Sequence, residues 1–491
     1  MESEGGATLL SLRARWRVIA VAALLAGLAY AFPLPGIPEE GRRLTAVLMI
    51  VVTLWIGEAL PLAATALLGP SLAVLVGVAP VEKAFAAFGH PIVLLFIGSF
   101  LLAGLTFKYR LNERIAYRAL SLSIVGNDPT RAFLLLGLTT AAISAWMSNV
   151  AVTAMMLPIG QSVLLAITGG RTPREVAPTF AAGMTLIVTY AASVGGLFTP
   201  VGTPPNLIGI GLMEQATGTR IGFLDWVGEV FPVTLLILLF MMGYFAYLFR
   251  HERAGLVYDR AQMAARYVAL GPWRPVEKRV LTALLITVGL WIVPSLLIIA
   301  LPDLGTFLDA RLPEAVAPVL VAVPLFWISA GGGDPRPMLE IDDLAGIDWP
   351  VIVLFAGGMC LGSLMMQAGV ATALGELLAR YVPDAGSPGL VFVFCLLAIV
   401  VSETTSNTAS ANMVVPVVMA VSTQVGGDPL ALGLAATAAC TFGFMLPVST
   451  PTNAMAYATG NVTQREMIRY GIVLDVVGIV LLTLWFGVLR G

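Results

Sequence analysis

Long apolar runs alternate with short polar segments along almost the whole chain. In the first half, the runs cover about 16–34, 44–60, 62–80, 92–107, 131–168, 177–215 and 227–249. In the second half, they cover about 280–301, 313–329, 349–370, 389–422, 430–460 and 470–489. About 20 consecutive apolar residues can cross a bilayer as one helix. The pattern therefore predicts an all-α polytopic membrane protein with about 11 transmembrane helices.

Two of the longest runs contain a polar break near the middle. Residues 131–168 carry Ser148 and Asn149 at their centre, and residues 389–422 are interrupted by SETTSNTAS at 402–410. Non-helical backbone at membrane depth is tolerated only where it faces protein or a watery cavity. Each run therefore predicts a re-entrant hairpin with the polar residues at its tip.

Two further runs are broken by proline. Residues 177–215 contain TPVGTPPN at 199–206, and residues 430–460 contain LPVSTPTN at 446–453. Each proline removes a backbone N–H and clashes with the preceding helical turn. These runs predict discontinuous helices whose broken ends present backbone groups to a ligand.

The hairpin and the broken helix occur twice, in the same order. Ser148-Asn149 corresponds to Ser406-Asn407, and the segment 201–206 corresponds to 448–453. We therefore divide the chain into an N-terminal segment with the first helix (1–40), a first repeat (41–250), a connector (251–279) and a second repeat (280–491). Since each repeat has an odd number of spans, the repeats are predicted to be inverted.

The basic residues predict an orientation. With the N-terminus in the cytoplasm and the C-terminus outside, most of the 27 Arg and Lys residues fall on the inner side, including those of the connector. The expected location is the inner (plasma) membrane. Amphipathic stretches at 108–120 and 371–383 predict helices on the membrane surface.

Composition excludes several function classes. The 491 residues are 58% hydrophobic and only 11% charged, so little of the chain is left for a soluble domain. Two histidines and three widely spaced cysteines give no metal-binding pattern, and no hydrolase or phosphate-binding motif is present. We expect no enzymatic activity, no organic cofactor and no nucleic-acid partner. The expected environment is the lipid bilayer.

The segment 402–412 concentrates the chemistry. It contains Glu403 together with three Ser, three Thr and two Asn. Hydroxyl, amide and carbonyl oxygens suit an alkali cation, whereas N–H and O–H donors suit an oxyanion. A single Ser-Asn pair would more simply be a packing site between membrane helices. The matching pair in the first repeat favours a ligand site.

These motifs resemble the divalent anion–sodium symporter family, which carries dicarboxylates, citrate or sulfate. SNTASANMVVPV at 406–417 is similar to the family signature, and TPVGTPPN at 199–206 is similar to its unwound-helix loop. The resemblance covers essentially the whole chain. It implies a homodimer that works by an elevator motion, with sodium as the coupling ion.

The resemblance also implies a set of site residues. The first sodium site would use Ser144, Ser148, Asn149 and the backbone oxygen of Gly202. The second sodium site would use Ser402, Thr405, Ser406, Asn407, Ser449 and Pro451. The substrate would meet Asn149, Val150, Thr203, Asn407, Thr408, Thr450 and Pro451. The family triplet Ser-Asn-Thr is intact at 406–408 but ends in Val150 in the first repeat. This departure removes one hydroxyl near the substrate and leaves the sodium ligands unchanged.

The resemblance therefore implies sodium-coupled uptake of a divalent anion, by analogy a C4 dicarboxylate such as succinate, malate or fumarate. Two alternatives keep the fold: a sodium-independent dicarboxylate or anion exchanger, and a sulfate symporter. A non-transporting anion sensor would share the same sequence features.

Overall fold

The computed structural model describes residues 11–252, 256–379, 388–425 and 427–490. Residues 1–10 of the N-terminal segment and 253–255 of the connector lie outside this description. So do residues 380–383, the end of the second expected surface segment, and residue 491 of the second repeat. The described residues are almost entirely helical, which confirms the all-α class.

The α-helices before the connector are Leu12–Ala31, Glu39–Ile56, Leu62–Leu75, Val81–Ala84, Pro91–Lys108, Leu111–Leu120, Pro129–Ser144, Asn149–Ile167, Pro173–Val176, Pro178–Gly195, Pro204–Thr217 and Phe223–Leu248. Those from the connector onward are Arg260–Ala269, Pro275–Ala300, Pro302–Arg311, Ala317–Ala322, Trp349–Gln367, Val370–Ala379, Pro388–Thr404, Asn407–Val425, Pro429–Ala439, Pro451–Ala458 and Gln464–Leu484. Short 3₁₀ turns lie at Ala86–Gly89, Ser123–Val125, Gly196–Phe198, Val323–Phe326 and Ile341–Gly346, and a π turn lies at Trp485–Leu489. Within the described residues, nine helices are long and apolar enough to cross a membrane.

Both predicted hairpins are present. The first hairpin consists of Pro129–Ser144 and Asn149–Ile167, which pack on each other across a four-residue break. The second hairpin consists of Pro388–Thr404 and Asn407–Val425, with Thr405 and Ser406 between them. The polar residues identified in the sequence therefore lie at the two tips.

Both predicted helix breaks are present as well. The first broken helix consists of Pro178–Gly195 and Pro204–Thr217, and the second of Pro429–Ala439 and Pro451–Ala458. Each second segment begins at a proline, whose missing N–H is not needed at the first helical position. We call the connections between the segments the first loop (196–203) and the second loop (440–450).

The first broken helix forms the centre of the molecule. Every residue from Phe180 to Gly195 is buried. A Cβ at Gly195 would lie 2.4 Å from the Ala141 backbone of the first hairpin, so only glycine permits this crossing. The tight contact places the tip of the first hairpin beside the first loop.

The segment after the run at 313–329 differs from expectation. The helix there is short, Ala317–Ala322, and it is followed by a two-stranded antiparallel hairpin, Ser329–Gly331 and Asp334–Pro337. Gly332 and Gly333 make the turn at positive φ angles of 67° and 91°. The apolar run at 313–329 predicted a helix, and no strands were expected after it.

The predicted surface helix Leu111–Leu120 is only partly a surface element. It packs on the first hairpin and on the connector helix Arg260–Ala269. Arg114 is 2% exposed, and its Nη2 donates to Glu277 Oε1 at 3.2 Å. The Arg114 Nη1 also donates to the Gly271 carbonyl at 2.9 Å. A buried ion pair therefore ties this helix to the connector.

We expect Arg114→Gln to lower the free energy of unfolding by about 3–5 kcal/mol, because it leaves the buried Glu277 carboxylate with one partner fewer. Arg110→Gln is the matched control, since Arg110 is 65% exposed in its pair with Glu113. We expect the control to change stability by about 1 kcal/mol or less. Denaturant unfolding in detergent micelles measures both, and equal effects would contradict the structural role of the buried pair.

Candidate functional site

One cavity of about 430 Å³ lies where the hairpin tips meet the two loops. The hairpins contribute Ser148, Asn149, Val150, Ser406, Asn407 and Thr408, and the broken helices contribute Ser193, Thr203, Pro204, Pro205, Thr450, Pro451 and Thr452. The opposite wall consists of Pro61, Leu62, Ala63, Asp348, Pro350, Val351 and Leu354. All seven residues that the resemblance assigned to the substrate line this one cavity.

A first polar cluster joins the first hairpin to the first loop. The Ser144 hydroxyl lies 3.0 Å from Asn149 Oδ1 and 2.7 Å from the carbonyl oxygen of Ala192. Asn149 Nδ2 donates to Thr203 Oγ1 at 3.3 Å. Asn149 therefore presents its amide oxygen to Ser144 and its amide nitrogen to a residue of the cavity wall.

A second polar cluster has the same plan in the second repeat. The Ser402 hydroxyl lies 2.9 Å from Asn407 Oδ1 and 2.7 Å from the Cys440 carbonyl oxygen. Asn407 Nδ2 donates to the Thr441 carbonyl at 3.2 Å. The repeated sequence motif therefore corresponds to a repeated hydrogen-bond arrangement.

The two loops are held by a second matching pair of asparagines. Asn206 Nδ2 donates to the carbonyls of Gly196 and Thr199, each at 2.8 Å. Asn453 Nδ2 donates to the carbonyls of Gly443 and Leu446, at 2.7 and 3.0 Å. Each asparagine folds its loop back over the start of the following helix, which fixes the extended backbone before Pro204 and Pro451.

Six helices begin at the cavity, and this convergence gives the site its electrostatic character. They are Leu62–Leu75, Asn149–Ile167, Pro204–Thr217, Trp349–Gln367, Asn407–Val425 and Pro451–Ala458. The first N–H groups of a helix lack intrahelical partners, and its dipole places partial positive charge at that end. The arrangement can therefore bind an anion.

Some of these helix ends are free of side-chain caps. The side chains of Ser148 and Thr203 do not cap the helices that follow them, whereas Ser406 Oγ accepts from Ala409 N at 3.2 Å and Thr450 Oγ1 accepts from Asn453 N at 3.1 Å. No Arg or Lys is among the residues that the described structure places at the cavity. Backbone N–H groups, amides and hydroxyls are therefore its donors.

The residues assigned to sodium fall into two layers. Ser148 and Ser406 line the cavity, whereas Ser144, Ser402 and Ser449 lie behind it and are fully buried. The hydroxyl of Thr405, also buried, donates to the Val401 carbonyl of its own helix at 2.7 Å. Their role in sodium binding stays a prediction.

Backbone oxygens crowd around Gly202 in the first repeat. A Cβ at Gly202 would lie 2.5 Å from the Gly196 carbonyl oxygen and 2.9 Å from that of Ser144. A Cβ at Gly196 would lie 2.3 Å from Asn149 Oδ1. This concentration of oxygen atoms is typical of an alkali-cation site, which needs several oxygen ligands and no side-chain charge.

Glu403 was not among the predicted site residues, although it lies within the polar segment 402–412. Its carboxylate is 3% exposed and accepts from the backbone N–H groups of Met445 at 2.6 Å and Leu446 at 3.0 Å. These two hydrogen bonds therefore hold the second loop against the tip of the second hairpin. A carboxylate inside an apolar run was the signal that could have suggested this role.

The opposite wall of the cavity was not predicted either. Asp348 is the one charged residue among the cavity residues in the described part of the chain, and it accepts from Val351 N at 3.3 Å as the cap of its helix. Pro61 lies at the start of the other helix in this wall. Neither position belongs to a repeated motif, so the sequence pattern gave no reason to place it at the site.

The chain resembles known proteins over nearly its whole length. A family model described as the sodium:sulfate symporter transmembrane region matches residues 13–489. A sodium-dependent dicarboxylate transporter SdcS of Staphylococcus saprophyticus is 30% identical over 452 residues, which cover 91% of this chain and 85% of the relative. The SdcS protein of Staphylococcus aureus strain RF122 is 29% identical over 454 residues, which cover 91% of this chain and 86% of the relative.

Two solved structures have a similar fold at low sequence identity. The Alcanivorax borkumensis YdaH transporter gives a TM-score of 0.57 at 13% identity, covering 97% of this chain and 98% of the other. Neisseria gonorrhoeae MtrF, described as one of a class of antimetabolite efflux pumps, gives a TM-score of 0.55 at 14% identity. The match covers 98% of this chain and 95% of the other. These similarities establish the fold alone.

We expect Glu403→Ala to lower the free energy of unfolding by about 2–4 kcal/mol, because two backbone donors of the second loop lose their acceptor. The exposed Glu376 on helix Val370–Ala379 provides the control Glu376→Ala, for which we expect about 0.5 kcal/mol or less. Thermal unfolding in detergent measures both variants. A Glu403→Ala protein as stable as the control would show that the carboxylate does not hold the loop.

Proposed function

The chain belongs to the sodium:sulfate symporter family and is a membrane transporter rather than an enzyme, and from this premise we propose that it couples sodium to the uptake of a dicarboxylate. The observation that carries this proposal is the cavity lined by both Ser-Asn tips and six helix N-termini. The relatives whose names specify sodium and dicarboxylate support the same assignment.

The proposed anion site uses neutral donors in place of basic side chains. Asn149 and Asn407 supply amide N–H groups, Thr203, Thr408 and Thr450 supply hydroxyls, and the helix ends supply backbone N–H groups. A divalent anion held only by such donors keeps much of its charge uncompensated in a low-dielectric site. A neighbouring cation lowers that cost. The proposed site therefore favours the anion when sodium is bound.

We propose two sodium sites behind the anion. The first comprises Ser144, Ser148, Asn149 and Gly202, and the second comprises Ser402, Thr405, Ser406, Asn407, Ser449 and Pro451. The oxygen atoms around Gly202 support the first site, and the Ser402–Asn407 contact supports the second. Because Asn149 and Asn407 belong to both the cation and anion sites, sodium would orient the amides that meet the substrate.

For the substrate we propose a C4 dicarboxylate such as succinate, malate or fumarate. Val150 lines the cavity at the position of Thr408 in the other repeat, so the two sides of the site differ by one hydroxyl. The loss of one hydrogen bond changes affinity by about 0.5–1.5 kcal/mol, which tunes selectivity among anions without abolishing binding. Sulfate, which the family description names, is the second candidate.

We propose an elevator-type alternating access. The cavity lies between two groups of elements: the hairpins and broken helices on one side, and Leu62–Leu75 with Trp349–Gln367 on the other. Beyond the cavity, Trp349–Gln367 packs directly on Pro204–Thr217 and Asn407–Val425. The two helices of the second group pack on each other, and the first hairpin packs on the first broken helix. A ligand bound between the two groups can be carried when one group slides along the other. Ligand binding then shifts the populations of the inward-facing and outward-facing states.

The quaternary structure and orientation are proposed on other grounds. The homodimer follows from the family resemblance. A cytoplasmic N-terminus and an external C-terminus in the plasma membrane follow from the distribution of Arg and Lys.

Uptake of labelled succinate into proteoliposomes tests the function directly. We expect uptake to require an inward sodium gradient. We also expect it to proceed into vesicles that contain only buffer, because the binding site of a symporter returns to the outward-facing state without a bound substrate. Proteoliposomes with Asn407→Ala are the matched control, and we expect no sodium-dependent uptake from them. Unlabelled sulfate added outside should compete poorly.

Two results would contradict this proposal in distinguishable ways. Uptake that ignores sodium but needs succinate inside the vesicles would indicate an exchanger. Competition by sulfate that is stronger than competition by malate or fumarate would indicate a sulfate symporter.

A pair of glycine variants tests the first sodium site. In Gly196→Ala, the new Cβ would meet Asn149 Oδ1 at 2.3 Å, whereas in Gly443→Ala the corresponding distance to Asn407 Oδ1 is 3.4 Å. We expect Gly196→Ala to weaken apparent sodium affinity about tenfold, or about 1.4 kcal/mol, and Gly443→Ala to have a smaller effect. The sodium dependence of succinate uptake measures both. An equal response of the two variants would argue against Asn149 as a ligand.

A further inference from the structure

A second cavity, of about 570 Å³, lies on the other side of the first hairpin. Its walls come from Pro91–Lys108, Leu111–Leu120, the first hairpin and Pro275–Ala300. Most of the lining is apolar, with contributions from Leu102, Leu138, Leu284, Val288 and Trp291. Its volume lies in the range of about 300–1,000 Å³ that is typical of ligand pockets.

Two polar side chains at this cavity have no partner in the described structure. Asn112 is 2% exposed, and neither its Nδ2 nor its Oδ1 makes a hydrogen bond. The Ser99 hydroxyl, on the neighbouring helix, is likewise buried without a partner. Buried polar groups are nearly always hydrogen-bonded in proteins, so an orphaned amide beside an apolar cavity indicates a missing ligand group.

Exposed apolar side chains lie at the mouth of the cavity. Ile115, Leu138 and Leu285 line the cavity and are 39%, 42% and 62% exposed. Leu285 belongs to a helix that is long and apolar enough to cross a membrane, so we expect its exposed surface to meet lipid chains. Entry from the bilayer favours an apolar chain over a water-soluble ligand.

We propose that this cavity binds one acyl chain of a membrane lipid. The ester or glycerol oxygens of the lipid form hydrogen bonds with Asn112 and Ser99. An amide offers both a donor and an acceptor, which suits an ester carbonyl next to a hydroxyl. No charged residue is among the cavity residues that the structure describes. A charged head group inside the cavity would therefore lack compensation, and the group at Asn112 is neutral.

Because of the position of the cavity, a bound lipid would affect movement of the first hairpin. Trp146 and Met147 line this cavity, whereas the next two residues, Ser148 and Asn149, line the polar cavity. A bound chain fills the space between the hairpin tip and helix Pro275–Ala300 and restricts movement of one past the other. The binding inference itself does not rest on the proposed transport function.

A photoactivatable lipid tests the inference in the full-length protein. The probe is phosphatidylcholine with a diazirine in its acyl chain, added to protein in detergent micelles, with cross-linked peptides mapped by mass spectrometry. We expect saturable labelling of peptides that contain residues 99–119 and 281–291. Monooleoylglycerol, which carries neutral polar groups, should compete more effectively than oleate.

Three variants locate the chain and its polar contact. We expect Ala142→Trp, which fills the cavity, to abolish the labelling, and Asn112→Leu to weaken retention of the probe roughly fivefold, the effect of one neutral hydrogen bond. Leu239→Trp places the same side chain on an exposed face away from the cavity and should label like the wild type. If Asn112→Leu does not fold, Ser99→Ala tests the polar contact with a smaller change.

Two outcomes would overturn the inference. Equal labelling of Ala142→Trp and the wild type would show that the chain does not occupy the cavity. Competition by oleate as strong as that by monooleoylglycerol, or unchanged retention in both polar variants, would show that no neutral group is recognised at Asn112.

Discussion

The proposed anion site imposes one electrostatic constraint on the structure, because no basic side chain is among the described residues that line the cavity. A helix dipole offers positive potential only at its N-terminus, so a helix that crosses the membrane unbroken offers none at the centre. Breaking the helices at the hairpin tips and loops brings four N-termini to that depth, and two helices of the opposite wall add theirs. The freed backbone groups then require partners, which Asn206 and Asn453 provide.

The two repeats satisfy this constraint with different chemistry. In the first repeat, the Thr199 hydroxyl donates to the carbonyl of Ala145 at the hairpin tip. At the corresponding positions of the second repeat, the N–H of Leu446 donates to the carboxylate of Glu403. The loop donates and the hairpin accepts in both repeats, but the side chain comes from the loop in the first repeat and from the hairpin in the second. At Gly202 of the first repeat, the carbonyl oxygens of Gly196 and Ser144 approach the backbone closely, whereas the corresponding Ser449 of the second repeat donates its hydroxyl to the Gly443 carbonyl at 2.8 Å.

The hairpins and broken helices could be predicted from the sequence, whereas the burial of individual helices and the contacts between distant segments could not. The reason is physical. Prolines and clustered hydroxyls break a helix locally, so the hairpins could be placed from residues 148–149 and 402–410 and the broken helices from 199–206 and 446–453. The burial of Pro178–Gly195 and the exposure of Leu12–Ala31 could not be distinguished, because lipid and protein interior select the same apolar residues. The Arg114–Glu277 pair and the wall with Asp348 depend on contacts between distant segments, which no local pattern records.

Asn149 shows how cation and anion binding can be linked through a single side chain. Its Oδ1 faces Ser144 on the proposed sodium side, and its Nδ2 faces Thr203 on the cavity side. A cation that holds the oxygen fixes the amide plane and directs the nitrogen toward the anion, and by linkage the anion strengthens cation binding by the same factor. Asn407 instead donates to the Thr441 carbonyl, and because an amide nitrogen carries two N–H groups, one donor is left for an anion. Each asparagine therefore keeps one amide N–H available for the proposed anion, and the two repeats differ in the acceptor that holds the other, a hydroxyl in the first and a backbone carbonyl in the second.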